Sequence, residues 1–531
     1  HMKFTSILLA AVLATAFTAN AQTSAESPMT TAVIRVYDKM IEENPSDYET
    51  YFARATEYYN QDDYIKALDD VNHALRYAPE NAREVRFGAY RLRASINEMR
   101  HKYSDALNDI NSALAFNPES YSCIQQRANI EFSLGQYTNA KSDYTKLLRA
   151  FPHNQEAMFG LSRVAVKENN IGIANDYADR AVDLFPSTAE SYIRRASIRT
   201  MMGNAEGAVD DYIIALTTDN SSNGKALAAL VELANTNYPA VMNGLSRAIR
   251  QAPRVGMFYY IRAAIAESHN NYTSAISDYD KILNDKLYSY AGLNSSLAKC
   301  FYALGQYDTA LANADYAISA TPDNAPYFAL KANILNALGE PAEALSNTGK
   351  ALAKEPGLVA ALNAKADAQI ALGDVSGASV TLAEALLNDP LNPELLMKRA
   401  WLCDTKLNQP ELAKSIYTKI AELDSDPADV KSLKGFALAR IGKDAEADSW
   451  ITSLLVNQPD NDGTINYYGA CYYAEKGSME KAAECMEKAL EKGYANYHNW
   501  VDANGSVTVG ALRDTPQFKG YMSRFASIFN R

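Results

Sequence analysis

The feature that most constrains this chain is a beat. An alanine recurs at one place in a helical pattern, at Ala67, Ala106, Ala140, Ala174, Ala208, Ala275, Ala310, Ala344, Ala378, Ala413, Ala447 and Ala482. Steps are 33 to 35 residues, except that the first carries about five more and the gap from Ala208 to Ala275 holds two steps. Prolines keep the same time at Pro79, Pro118, Pro152, Pro186, Pro253, Pro322, Pro356, Pro390 and Pro459. Between two such prolines, apolar residues fall at helical spacing on two short segments separated by a polar turn. Proline ends the second segment, because it lacks an N–H and pushes the residue before it out of the α region. Each unit is therefore a helical hairpin, with alanine where the two backbones approach. A lone hairpin leaves apolar surface wet on both flanks, so it needs neighbours of its own kind.

The unit Asn294 to Pro322 shows the pattern clearly: Leu297, Ala298, Phe301 and Leu304 line one helix, and Ala310, Ala314, Ala317 and Ile318 the other, with Gly305 between. These residues resemble the tetratricopeptide repeat family, a 34-residue helix-turn-helix. The resemblance implies an all-α, right-handed superhelical solenoid of about thirteen repeats between terminal capping helices. Expected boundaries are a tail and capping helix at 22–47, repeats one to five at 48–220, and a degenerate sixth at 221–255. Repeats seven to thirteen follow at 256–493 and a C-terminal cap at 494–531. The sixth has TNYP where its turn belongs and is the expected site of a bend. The extra residues of repeat two, near Asn81 to Arg86, are expected in a loop.

Residues 1–21 read as a secretory signal: Lys3, an apolar run from Ile7 to Phe17, then Ala19-Asn20-Ala21 before the cut. The expected location is the periplasm of a two-membrane bacterium, with outer-membrane association or secretion as alternatives. No transmembrane segment is expected beyond the leader. Net charge is −12, and −13 once Lys3 leaves with the leader, since 63 acidic residues then face 50 basic ones. That balance argues against nucleic acid as a partner, because phosphate backbones call for a basic footprint. Five scattered cysteines do not make a disulfide framework. Cys471 and Cys485 flank the last hairpin turn, so either a bridge or two buried thiols fits there.

A second regularity lies inside the repeats. Arg54, Arg93, Arg127, Arg195 and Arg262 are each followed 16 residues later by Asp70, Asp109, Asp143, Asp211 and Asp278. The matching suggests ion pairs joining the two helices of a hairpin, arginine being suited by its bidentate fork. The alternative is a groove of arginines gripping anionic groups. Arg399 departs from the pattern, with Ser415 at that spacing.

No HExxH, phosphate loop or nucleophile elbow is present, so no catalytic residue, metal or cofactor is expected and the chain does not read as an enzyme. The family resemblance instead implies a concave face built by the first helix of each repeat. Carried over, it comprises Phe52, Tyr59, Arg91, Gln125, Asn129, Phe132, Phe159, Tyr260, Tyr302, Asn333, Asn336, Asn363, Asp367 and Trp401. Such rings and amides suit an extended peptide or a partner's helix, or else pad contacts between hairpins. The expected function is a noncatalytic periplasmic scaffold or adaptor binding protein or peptide partners of envelope complexes. The alternative is a protein that captures peptides or glycans in the same groove.

Overall fold

A computed structural model describes residues 28–218, 223–290, 292–424 and 427–529. The expected leader at 1–21 lies outside the described residues. Among those described, 28 α-helices and two 3-10 turns follow one another without a strand. They pair as consecutive hairpins, such as Tyr48–Asn60 with Tyr64–Tyr77 and Tyr121–Ser133 with Tyr137–Ala150. The chain forms two compact lobes, 28–230 and 231–529.

Burial explains the alanine beat. Eleven of the twelve marker alanines have no exposed surface, and Ala413 is 1% exposed. The small side chain lets the two helices of a hairpin touch, and Gly160 plays the same part between one hairpin and the next. A Cβ there would lie 2.4 Å from the Tyr144 ring. The second helices stop two residues ahead of their prolines, as in Tyr307–Ala320 before Pro322 and Val375–Asn388 before Pro390.

The hairpin turns show a third marker with the same period. One residue in each adopts positive φ: Asp62, His101, Gly135, Asn169, Gly203, Asn270, Gly305, Gly339, Gly373, Asn408, Gly442 and Gly477. Glycine takes this conformation freely, and asparagine, aspartate and histidine tolerate it better than other residues. The sequence alone drew attention to two of these, Gly305 and Gly477. At Gly373, where φ is +85°, a Cβ would meet nothing within 4 Å. Gly373→Ala therefore isolates the backbone cost, and urea unfolding should show a loss of about 1–2 kcal/mol.

The degenerate repeat lacks this residue. By the beat its turn falls at Asn237, whose φ of −146° and ψ of 61° interrupt the helical run Asn223–Gln251 as a kink. Pro239 follows inside the run, and the Asn237 side chain accepts a hydrogen bond from the Ala240 N–H at 3.4 Å. The lobe boundary falls in the same run, between Leu230 and Val231.

Repeat two differs from expectation. Its first helix, Arg83–Met99, has 17 residues against 13 in its neighbours Tyr48–Asn60 and Tyr121–Ser133. Most of the extra residues thus lengthen a helix by about one turn. All five cysteines are buried free thiols. Burial pushes the Cys471 thiol up to about 12 and that of Cys485 up to about 11, so both are poor nucleophiles.

The C-terminal segment consists of Tyr497–Val501, a 3-10 turn Gly510–Asp514, Pro516–Arg524 and a second 3-10 turn Ala526–Phe529. Trp500, fully buried, seats it against Tyr467 of the last repeat and packs on Tyr494 just beyond that repeat's second helix.

Candidate functional site

The arginines lie at the joints between helices. Arg54 grips Asp70 with Nε and Nη2, both at 2.7 Å, and Arg262 grips Asp278 at 2.8 and 2.7 Å. Arg93 with Asp109, Arg127 with Asp143 and Arg195 with Asp211 repeat the arrangement. The aspartates are all buried, between 1% and 7% exposed, so each needs that partner.

The remaining nitrogen, Nη1, reaches backwards to the helix before it. Arg54, Arg127, Arg195 and Arg262 bond Asp38, Asn111, Asp179 and Ser246, each 16 residues upstream. Arg93 reaches Asn72, 21 residues back, and the five-residue excess matches the insertion in repeat two. One guanidinium thus joins three helices, and the backward half of the stitch escaped the sequence reading although its period is visible there. Arg399, which lacks the aspartate, has a buried Nε without a hydrogen-bond partner.

The residues assigned to a concave face meet varied fates. In the N-terminal lobe, Arg163 covers Phe132 at 4.7 Å and donates to Asn129 at 3.1 Å, while Arg194 covers the buried Phe159 at 4.4 Å. Phe52 packs beside Gly88, Tyr59 meets Tyr64, Gln125 is half-buried and Arg91 is exposed. In the C-terminal lobe, Tyr260 is 2% exposed among Tyr279, Tyr288 and Tyr290, and so offers almost no surface. Lys398 occupies Asn363 and Asp367 at 2.7 and 2.6 Å, and Asn336 donates to the Ala364 carbonyl. The Tyr302 ring lies against His498, tilted by 37°; Asn333 and Trp401 are half-buried, with Lys406 6.0 Å from the Trp401 ring. Many of these side chains thus serve contacts between successive hairpins. Neighbouring repeats supply the cations that cover them, which position within one repeat does not reveal.

A different surface emerges inside the C-terminal lobe. A cavity of about 540 Å³ is lined by Asn235, His269, Asn270, Glu394, Asp429, Asp460, Asp462, Tyr468, Tyr494, Asn496 and Asn499, among others. None of the fourteen sequence-assigned residues lines it. It exists because distant repeats meet: Asn270 donates to Asp462 at 3.1 Å, and Asn461 donates to the Asn235 carbonyl at 3.2 Å. Those pairs are 192 and 226 residues apart in sequence. Asp460 is spent on structure, accepting from the N–H groups of Ile465 and Asn466 and from the Asn466 amide. Glu394 reaches water through the cavity yet is surrounded by protein, which raises its pKa, and the nearby Asp429 raises it further. The interior therefore presents amides, phenols and carboxylates.

Elsewhere, Asp69, Asp70 and His73 bring three ligand-type atoms within 4.8 Å of one another. The sequence reading passed over this group. Both Asp70 oxygens are taken by Arg54 and His73 Nδ1 lies 2.9 Å from the Asp69 carbonyl, so the cluster is already bonded within the protein.

Consecutive helical hairpins, stitched edge to edge, define a solenoid of the kind that serves as a protein–protein interaction scaffold. Family models of the tetratricopeptide repeat match residues 126–187, 296–360 and 335–402, and the chain is a tetratricopeptide-repeat protein. Among solved structures, it is 18% identical to YrrB, described as a TPR protein with an unusual peptide-binding site. That match covers 37% of this chain and 98% of YrrB, with a TM-score of 0.28. Yeast Tom70 is 15% identical over 76% of this chain and 99% of its own, TM-score 0.36. The Cut9–Hcn1 complex of the APC/C gives 15% over 87% and 91%, TM-score 0.32. None of the three bears on what this chain binds. No curated protein matches the sequence. No described helix is long and apolar enough to cross a membrane.

Proposed function

We propose that the chain is a noncatalytic scaffold of the bacterial cell envelope, exported to the periplasm, that holds partner proteins through the inner surface of its C-terminal lobe. The observation that carries this reading is the open cavity of mixed polar and apolar lining between Asn235 and Asn499, formed by repeats distant in sequence. Its carboxylates, Glu394, Asp429 and Asp462, favour a partner segment presenting lysine or arginine. The leader pattern at 1–21 supports export.

Capture from an envelope fraction by the tagged full chain should recover one protein in stoichiometric amount. The pair Glu394→Gln and Asp429→Asn should reduce that recovery several-fold with the fold intact, whereas recovery unchanged by the pair would remove the cavity from the reading. Trp401→Ala tests the more open first-helix surface in the same assay. Fractionation of host cells tests the location, and a cytoplasmic chain would end that part of the proposal.

A second reading is favoured by the cavity's amides and phenols, a lining suited to a peptide or glycan. A thermal shift raised by short peptides or oligosaccharides, with no protein recovered by capture, would select it.

A further inference from the structure

The C-terminal segment reaches across its own lobe. While Trp500 holds it to the last repeat, His498 points the other way, into the hairpin Leu293–Ala303 and Tyr307–Ala320. Its Nε2 lies 3.0 Å from the Tyr302 hydroxyl, its Nδ1 lies 2.7 Å from the Tyr307 hydroxyl, and its ring sits 4.5 Å from that of Tyr302. These partners are 196 and 191 residues away. We propose that His498 is an acid-sensitive clasp, closing the C-terminal segment over the inner face of the lobe when neutral and releasing it when protonated. The clasp does not depend on which partner the cavity takes.

The chemistry follows from donor counting. Neutral imidazole has one N–H and one lone pair, so in either tautomer one tyrosine accepts from it and the other donates to it. Imidazolium has two N–H groups and no lone pair, so the donating hydroxyl must turn its proton away. Charge is also unwelcome there: burial lowers the His498 pKa below its ordinary value, with Asp502 and Asp367 acting in the opposite sense. Asp367 is bonded to Lys398 at 2.6 Å, which offsets its help to a cation. The groups facing His498 are thus Tyr302 and Tyr307 from one hairpin, Asp367 with its lysine, and Asp502 from the segment itself. A lowered folded pKa means that the clasp's contribution is present above the ordinary histidine value and is lost as pH falls through the folded one.

Hydrogen exchange on the full chain at pH 7.5 and 5.0, corrected for the intrinsic pH dependence of exchange, tests this. In the wild type, protection of Leu293–Ala303 and Tyr497–Val501 should fall several-fold at pH 5.0, while the hairpin Tyr48–Tyr77 is unchanged. His498→Gln, which carries no titrating ring, should abolish the difference. Tyr307→Phe keeps the ring and the packing; it should exchange faster already at pH 7.5 and respond less to acid. Wild-type protection that ignores pH would overturn the clasp, as would an undiminished acid response in His498→Gln. Should the glutamine variant not fold, an undiminished response in Tyr307→Phe does the same.

Discussion

Replacing Arg127 with alanine should lower the local stability of the hairpin Tyr121–Ala150 by about 2–3 kcal/mol. The loss is larger than a surface ion pair gives, because Asp143 is 7% exposed and would be left without the two hydrogen bonds from Arg127. It falls below the usual cost of breaking a buried pair because the Arg127 side chain is 29% exposed and water can partly take its place. The bond to Asn111 in the preceding hairpin is lost as well. Since each repeat of a solenoid leans mainly on its neighbours, the effect should be local. Hydrogen exchange should show faster opening in Tyr121–Ala150 and little change in the C-terminal lobe. Asp143→Ala in the same chain should restore part of the loss, because the stranded carboxylate is then gone. Strict additivity of the two substitutions would show that no pair was broken.

Glu131→Gln should act in the opposite direction, raising stability by about 1–3 kcal/mol at pH 8, the cost of a buried acceptor left unpaired. Glu131 is 7% exposed, its Oε2 has no hydrogen-bond partner, and Arg127 stands 4.0 Å away. Burial, reinforced by the Asp143 carboxylate and opposed by Arg127, raises its pKa to about 7. Folded protein therefore holds this proton up to about pH 7, while the unfolded chain releases it near the ordinary glutamate value. Stability contributed by the protonated group is full at low pH and drains away as pH rises through that interval. Urea midpoints of the wild type should fall between pH 5 and 7, and those of the glutamine variant should fall less. Neighbouring repeats show what the position prefers: Asn97 donates to Asp109 at 3.1 Å and Arg199 to Asp211 at 2.8 Å, each 12 residues on. A glutamine amide at 131 could donate to Asp143 in the same manner. Equal pH profiles for the two proteins would sink the assignment.

The repeat architecture was legible because its causes are local. The alanine that lets two helices touch, the proline that ends one, and the arginine with its aspartate 16 residues on all act within a hairpin of about 34 residues. A pattern repeated down the chain announces such interactions many times. The backward half of the arginine stitch keeps the same offset in four of five cases, and the positive-φ turn residues recur with the repeat. Both could have been read by asking what the same offset holds upstream and in the turn.

Tertiary structure alone decided which inner residues are free. Tyr260 and Phe159 occupy positions like those of more exposed neighbours, yet lie buried under tyrosines in one case and Arg194 in the other. It also brought Asn270 to Asp462 and His498 to Tyr302, contacts nearly 200 residues long in sequence. Those meetings depend on the small rotation each hairpin adds to the last. No single residue encodes that sum, so one repeat's sequence fixes its hairpin but not where the lobe closes upon itself.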